Sequence, residues 1–577
     1  MKEKFYLGLS LGFNGSACLM SNTRGLLMAI SQERLNGEKN TKKVAFDAIK
    51  KCLLENDVTV LDGIAVSHYE EITNEYFEKY SDCDIAADWK KTILRFVNKI
   101  GISVKDNLIV RVPHHTAHAL STFGFYGFPK TDNYYTITSD GFGDGFSGVI
   151  RDNKSIISSV KLENSIALVY QFVTGALGFK EHQHEGKITG LAAFGEPIYL
   201  SDFERLYDIV DDELSFKADS AFLTDEDKEA IEKSKIIDFD KFLILKRRVY
   251  ELVDDLINNL EATREDIAAS VQEFAEKWTL KWITKYCKKA DAAYLAGGLF
   301  ANVKINQRIK DLGLFDNVYV CPAMGDEGTC VGATISLMQS LYDDISDNID
   351  DVGMSKKVIS GTSVDGDEDT YECMCYLINK KRLQDDLRIT LNRNIYDTIE
   401  FISNALSDNK IVCLMRDKME FGPRALCHRS ILYNCNSKDT NDWLNKKLGR
   451  TEFMPFAPVC RECDADDLFR NLDGGRDSAK FMTMTFDCTD EFIENYPAAC
   501  HIDNTARPQI VHREDDPFMW QILTEYRDKT CLKALINTSF NLHNNPIIES
   551  ELVGFESWLT SGTDILVIGN VIIERVK

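Results

Sequence analysis

A single pattern, met twice, constrains the fold most. The stretch "FYLGLSL" leads through a glycine turn into "SACLMS", then a polar turn "NTRG" and "LLMAISQ". Further on, "NYYTITSDGFGDG" leads into "FSGVIRD" and "SIISSVKLE". Each is an apolar strand that ends in a glycine-rich turn and continues as a hairpin, which predicts a duplicated strand-strand-strand-helix unit. Each half then places its first turn at the edge of a shared cleft. The expected class is α/β.

A chain of 577 residues exceeds the roughly 250–300 residues at which one core stops growing, so several domains are expected. From 198 to 285 the apolar residues fall at helical spacing, as in "KFLILKRRVYELVDDLINNL", and predict a helical insert. The stretch from 342 to 371 loses periodicity and gathers Asp, Ser and Gly, which places a domain boundary near 360. Residues 361–577 then read as a second α/β domain, with helix "TIEFISNALSDN" before strand "KIVCLM" and helix "FMWQILTEYRD" before strand "CLKALINTSF". With 67 Lys+Arg against 91 Asp+Glu, the net charge of -24 disfavours nucleic acid and anionic membrane as partners. No apolar run reaches the roughly 20 residues of a membrane span and the N-terminus lacks signal-peptide features, so a soluble, cytoplasmic protein is expected. The 16 cysteines sit in apolar segments and are expected to be reduced; Cys460 and Cys463 form a CxxC without a second pair.

Three of the ten histidines fall in "VPHHTAHALSTFGF". His114 and His118 are four residues apart, so on a helix after Pro113 they share a face and can hold one ion. Two acidic turns follow predicted strands: "SDGFGDG" with Asp140 and Asp144, and "PAMGDEGT" with Asp326 and Glu327. Two imidazoles with two carboxylates suit iron, manganese or zinc. Helix caps would explain each turn separately but not the histidines. Gly297 and Gly298 in "LAGGLFANVKINQR" and Lys187 in "EGKITGLAAFG" are candidates for contact with a nucleotide. In the second domain Arg416, Lys418, Arg424 and Arg429 cluster about a Gly-Pro turn, Lys446, Lys447 and Arg450 follow, and Arg507 comes later. Recurring cations in turns of an acidic chain predict an anion pocket, with Asn537, Thr538 and Ser539 as further donors.

These motifs, together with "EFGPRAL", "RTEFMPFAPV", "ARPQIV" and "INTSFN", occur in the order found in the O-carbamoyltransferases of antibiotic and nodulation-factor synthesis, which the chain resembles over nearly its whole length outside the insert. The resemblance implies a first domain, 1–360, of the actin and sugar-kinase (ribonuclease H-like) superfamily, and a second, 361–577, like threonylcarbamoyl-AMP synthase. It implies that the second domain joins carbamoyl phosphate and ATP, with magnesium, into carbamoyl-adenylate at Arg416, Lys418, Arg424, Arg429, Lys447, Arg450, Arg507, Asn537 and Ser539. The first then transfers the carbamoyl group to a hydroxyl of a small natural product, with a metal, iron before manganese or zinc, at His114, His118, Asp140 and Asp326. Gly297, Gly298 and Asn302 would contact the nucleotide, while His115, Lys187 and Arg424 would take part in catalysis; a homodimer is compatible with this picture.

The sequence also departs from the family. Asn14-Gly15 stands where many relatives have His-Asp, so either another group, such as His115 or a carboxylate, takes the acceptor's proton or the metal lowers the hydroxyl pKa enough to manage without one. The family lysine corresponds to Lys447 or Lys446; Met454 replaces an arginine, and His543, Asn544 and Asn545 replace Arg-Gly-Glu. The competing expectations are a tRNA threonylcarbamoyl transferase, which the acidic charge disfavours, and a nucleotide-regulated assembly protein of actin-like fold.

Overall fold

In a computed structural model, residues 2–12, 14–67, 89–217, 223–233, 239–342, 358–448 and 454–576 are described. The chain divides into two compact units, one of Met1–Leu27 with Asn40–Asp351, the other of Met28–Lys39 with Val352–Lys577. The second unit takes in a short piece of the N-terminal sequence that composition did not reveal.

The first unit contains the same sheet twice. β1 (Phe5–Ser10), β2 (Ser16–Ser21), β3 (Gly25–Ser31), β4 (Gly63–Ser67) and β5 (Ile109–Val112) lie in the order β3-β2-β1-β4-β5. β6 (Tyr134–Gly143), β7 (Phe146–Arg151), β8 (Ile156–Lys161), β9 (Ala290–Ala296) and β10 (Phe315–Val320) lie in the matching order β8-β7-β6-β9-β10. In each, the first strand pairs antiparallel with its hairpin partner and parallel with the fourth: Leu7 faces Leu19 and Ile64, and Ile137 faces Ile150 and Leu295. The central strands are buried on both faces, hence their near-continuous apolar runs. This duplicated strand order matches the repeat expected from the sequence.

Each repeat's fifth strand feeds a helix. His114–Tyr126 (α2) follows β5, and Thr329–Leu341 (α8) follows β10, and the two helices pack on one another. Gly332 makes their close approach possible, since a Cβ there would lie 1.8 Å from the Ala117 carbonyl oxygen. Gln32–Asn36 (α1) follows β3 and is assigned to the second unit; Ile166–Ala176 (α3), Glu185–Leu191 (α4), Phe239–Leu260 (α5) and Arg264–Tyr286 (α6) lie between β8 and β9, and Val303–Asp311 (α7) lies between β9 and β10. The expected insert differs in two ways. Tyr207–Val210 and Glu213–Phe216 form a small hairpin, too short to interrupt a helical pattern legibly. α6 is buried along most of its length and leads into β9, so it belongs to the repeat itself.

The second unit is built on an eight-stranded mixed sheet. Beside Ile359–Val364 (β11), which pairs with Asp417–Glu420 (β14), run Leu387–Leu391 (β12), Val412–Met415 (β13), Arg429–Tyr433 (β15), Ala457–Arg461 (β16), Gln509–Val511 (β17), Ala534–Ser539 (β18), Ile565–Ile568 (β19) and Val571–Arg575 (β20). Their order is β12-β20-β19-β13-β15-β18-β16-β17. Ile395–Ser407 (α9) and Pro517–Thr530 (α10) cover one face, closing a core of Ile402, Leu406, Leu414, Val459, Ile522, Leu535 and Val567. Among the described residues no helix is long and apolar enough to cross a membrane.

Candidate functional site

Four predicted ligands converge in the first unit. His114 and His118 occupy the first two turns of α2, Asp140 lies late in β6, and Asp326 stands just before α8, so the matching helices of the two repeats and the strand between them build the cluster. The two Nε2 atoms are 3.0 Å apart; His118 Nε2 is 3.1 Å from Asp140 Oδ2 and 3.4 Å from Asp326 Oδ1, and His114 Nε2 lies 3.5 and 3.6 Å from the same oxygens. Ligand atoms around an ion at roughly 2.0–2.2 Å stand about this far from one another, so the donor set fits a divalent metal. Burial disfavours a charged His118, but its hydrogen bonds to Asp140 and Asp326 outweigh that and push its pKa up to about 9. Burial likewise opposes ionisation of Asp140, yet the two histidines hold its carboxyl well below the usual range.

The local structure aims these groups. Asp140 Oδ1 accepts the Gly141 N–H at 2.7 Å, which leaves Oδ2 towards the histidines. Gly298 keeps the space beside it open, because a Cβ there would lie 2.9 Å from Asp140 Oδ1. Asp144 is not in the cluster. Its Oδ2 accepts the His114 backbone N–H at 2.8 Å and its Oδ1 pairs with Arg111, so it caps the helix that carries both histidines. Glu327 also lies outside the cluster, in the turn before α8.

His115 requires a correction. It is buried, Nε2 donates to the Phe146 carbonyl at 3.1 Å and Nδ1 pairs with Thr138 Oγ1 at 2.9 Å. Burial and the neighbouring histidines bring its pKa down to about 3, so it is a neutral, satisfied ring with no nitrogen left for a substrate's proton. Asn302 is likewise engaged, as the cap of α7 through Ile305 N–H at 3.3 Å and as a partner of Gln272 at 2.8 Å. Lys187 is buried on α4. At the start of that helix sits a residue the sequence reading missed: burial pushes the Glu185 carboxyl up to about 7, although it accepts the His182 backbone N–H at 2.5 Å. Its signal was the adjoining "HEGK" itself.

In the second unit the predicted cations separate by role. Arg416 donates Nε to the Cys427 carbonyl at 3.0 Å and pairs with Asp417 at 2.9 Å and with Asp516. Arg429 is fully buried and gives its two terminal nitrogens to four carbonyls, of Arg416, His428, Thr362 and Asp417, at 2.7 to 3.1 Å. Both guanidinium groups are thus engaged by the fold itself. The Asn537 amide is engaged in the same way, donating to Gln509 Oε1 at 2.6 Å and to the Ala425 carbonyl at 3.1 Å.

Arg424 and Arg507 behave differently. Both are partly exposed, and among the described residues no carboxylate pairs with either. Arg424 Nε is sheltered without a hydrogen-bond partner. Burial alone draws Arg424 down to about 10, and burial together with the Arg424 charge holds Arg507 well below its ordinary value. Two guanidinium groups that repel each other in a sheltered place gain from a bound anion. Ser539 Oγ bonds Asn541 Oδ1 at 2.6 Å on β18. Lys447 stands 3.6 Å from Asp564 and over the Trp443 ring, whereas Lys446 is exposed; Arg450 lies outside the described residues. A cavity of about 330 Å³ in this unit is lined by Arg416, Lys418, His428, Lys480, His512 and Asp516, among others.

Residues 6–335 match the carbamoyltransferase N-terminus and residues 403–575 the carbamoyltransferase C-terminus, so the chain belongs to the carbamoyltransferase family and is an enzyme of that class. An uncharacterised protein of Methanocaldococcus jannaschii is 28% identical, covering 99% of this chain and 100% of its own. The nodulation protein NolNO of Sinorhizobium fredii is 25% identical over 97% of this chain and 79% of its own. Among solved structures, HypF of T. kodakarensis covers 60% of this chain and 50% of its own at 14% identity and a TM-score of 0.30, a likeness too slight to carry an argument.

Proposed function

We propose that this carbamoyltransferase works in two steps and depends on ATP. In the C-terminal unit, carbamoyl phosphate loses phosphate to water, and the resulting carbamate attacks the α-phosphorus of ATP, forming carbamoyl-adenylate and releasing pyrophosphate. In the N-terminal unit a hydroxyl of a small acceptor attacks the carbamoyl carbon, loses its proton, and AMP departs. The observation that carries this reading is the Arg424–Arg507 pair, charged, sheltered and lacking a carboxylate, which suits a dianionic phosphate and the charge that develops on a departing one. The C-terminal fold would accordingly act as the threonylcarbamoyl-AMP synthase fold does, with magnesium accompanying ATP.

His114, His118, Asp140 and Asp326 would hold the divalent metal, iron, manganese or zinc, which when bound supplies a Lewis acid for phosphate and carbonyl oxygens. The protein's own part there is orientation: Asp144 fixes α2, and Gly141 N–H turns the Asp140 carboxylate towards the histidines. With His115 satisfied and Asn14 unable to act as a base, the acceptor's proton must go to a carboxylate or to the departing phosphate group.

The test is pyrophosphate release from ATP in the presence of carbamoyl phosphate and magnesium, for the wild type, Arg424→Ala and His114→Ala. Release by the wild type and His114→Ala, with loss in Arg424→Ala, supports two separate half-reactions. No release by the folded wild type overturns the ATP-dependent two-step reading.

A further inference from the structure

Arg424 sits on the loop Phe421–His428 between β14 and β15. Two like charges brought together drift apart unless the backbone that carries them is held, so what holds this loop bears on the anion site. Its far end is fastened from within the unit's sheet. Glu420, 1% exposed, accepts the N–H groups of Leu426 at 2.6 Å and Arg429 at 3.3 Å through one oxygen, and Asn537 holds the Ala425 carbonyl.

The near end is fastened from 388 positions away. Arg34, on α1, donates Nη2 to the Gly422 carbonyl at 2.8 Å and is itself 9% exposed. Its other terminal nitrogen lies 3.6 Å from Glu33. Gly422 has φ of +114°, a conformation open to glycine and to few other residues, and Pro423 follows with its own φ locked by the ring. The peptide at 422 is thus the soft joint before a rigid one, and the orientation of its carbonyl passes through Pro423 to Arg424.

We propose that Arg34 is a positioning residue of the anion site: by gripping the Gly422 carbonyl it fixes the joint from which Arg424 is presented. The proposal rests on reading Arg424 and Arg507 as the phosphate-binding group. It gives residues 28–39, which the fold assigns to the C-terminal unit, a reason to be there, and it makes a residue of the N-terminal sequence necessary for the binding of carbamoyl phosphate.

The experiment compares the full-length wild type with Arg34→Met and Arg34→Lys, measuring KM for carbamoyl phosphate and kcat in pyrophosphate release, inorganic phosphate binding by titration calorimetry, and melting temperature. Loss of one hydrogen bond from a charged donor predicts about a tenfold rise in KM and a similar loss of phosphate affinity for Arg34→Met, with kcat at saturation within about twofold and partial recovery in Arg34→Lys. An unchanged KM and phosphate affinity, whatever the melting temperature does, overturns the proposal and leaves Arg34 as a packing residue. Should Arg34→Met not fold, Arg34→Gln, too short to reach Gly422, is judged by the same criteria. A wild type that binds phosphate but releases no pyrophosphate overturns the two-step reading while calorimetry still decides the role of Arg34. A wild type that does neither removes both.

Discussion

At the scale of single residues, the decisive contrast is between cations that the fold has engaged and cations it has left alone. Arg429 serves four carbonyls and Arg416 two carboxylates, whereas Arg424 and Arg507 have no carboxylate partner among the described residues, and the charge of Arg424 lowers the pKa of Arg507. Arg424→Ala and Arg507→Ala are each expected to lower kcat/KM for carbamoyl phosphate about a hundredfold with little change in melting temperature, because each removes a charged donor and relieves a repulsion. Arg429→Ala should instead lower the melting temperature sharply, since four buried carbonyls lose their donors; thermal denaturation separates the two cases. Glu185 offers a pH signature. Its carboxyl titrates near 7 in the folded chain and near 4.5 when unfolded, so its contribution to stability is complete below about 4.5 and is lost as pH rises through 7. Glu185→Gln is therefore expected to gain melting temperature over the wild type at pH 8 and not at pH 4.5, with a difference on the order of 3 kcal/mol across that window.

At the scale of elements, the metal cluster depends on how two equivalent helices meet. Gly332→Ala would drive a methyl group into the Ala117 carbonyl, force α2 from α8 and cost about 1–3 kcal/mol or more, so both melting temperature and metal content should fall. Asp144→Asn acts more gently. It weakens the grip on Arg111 and on the first turn of α2 while leaving all four ligands in place, and metal affinity measured by competition with a chelator should drop about 10- to 100-fold. An unchanged affinity would show that α2 needs no cap to present its histidines. The sheets answer the earlier expectation at this scale. The repeated strand-turn-hairpin pattern was legible because side chains on doubly covered strands must be apolar whatever their neighbours. The hairpin at 207–216 was not, because two four-residue strands flanked by helices leave no period to read.

At the scale of the whole molecule, the units are not consecutive stretches of chain: the C-terminal one includes Met28–Lys39. A fragment of residues 352–577 is therefore expected to melt below the intact chain's second unit and to gain melting temperature when a peptide of residues 28–39 is added; no gain would show the segment to be dispensable. The sequence by itself determined the α/β class, the duplication, the two-part organisation and the four cluster residues, because strand periodicity, glycine turns and the i, i+4 histidine spacing are local in origin, and the motif order pointed to the family. Tertiary structure decided which of the chemically similar residues remain available. His115 and His118 look alike in "HHTAHAL", yet one is satisfied by Thr138 and Phe146 and the other faces two carboxylates. Arg416, Arg424 and Arg429 look alike in the sequence, yet carbonyls and carboxylates of the folded unit have claimed the first and the third. Whether a polar group is free depends on partners hundreds of positions away, such as Arg34 at Gly422, and no local pattern encodes the distance between them.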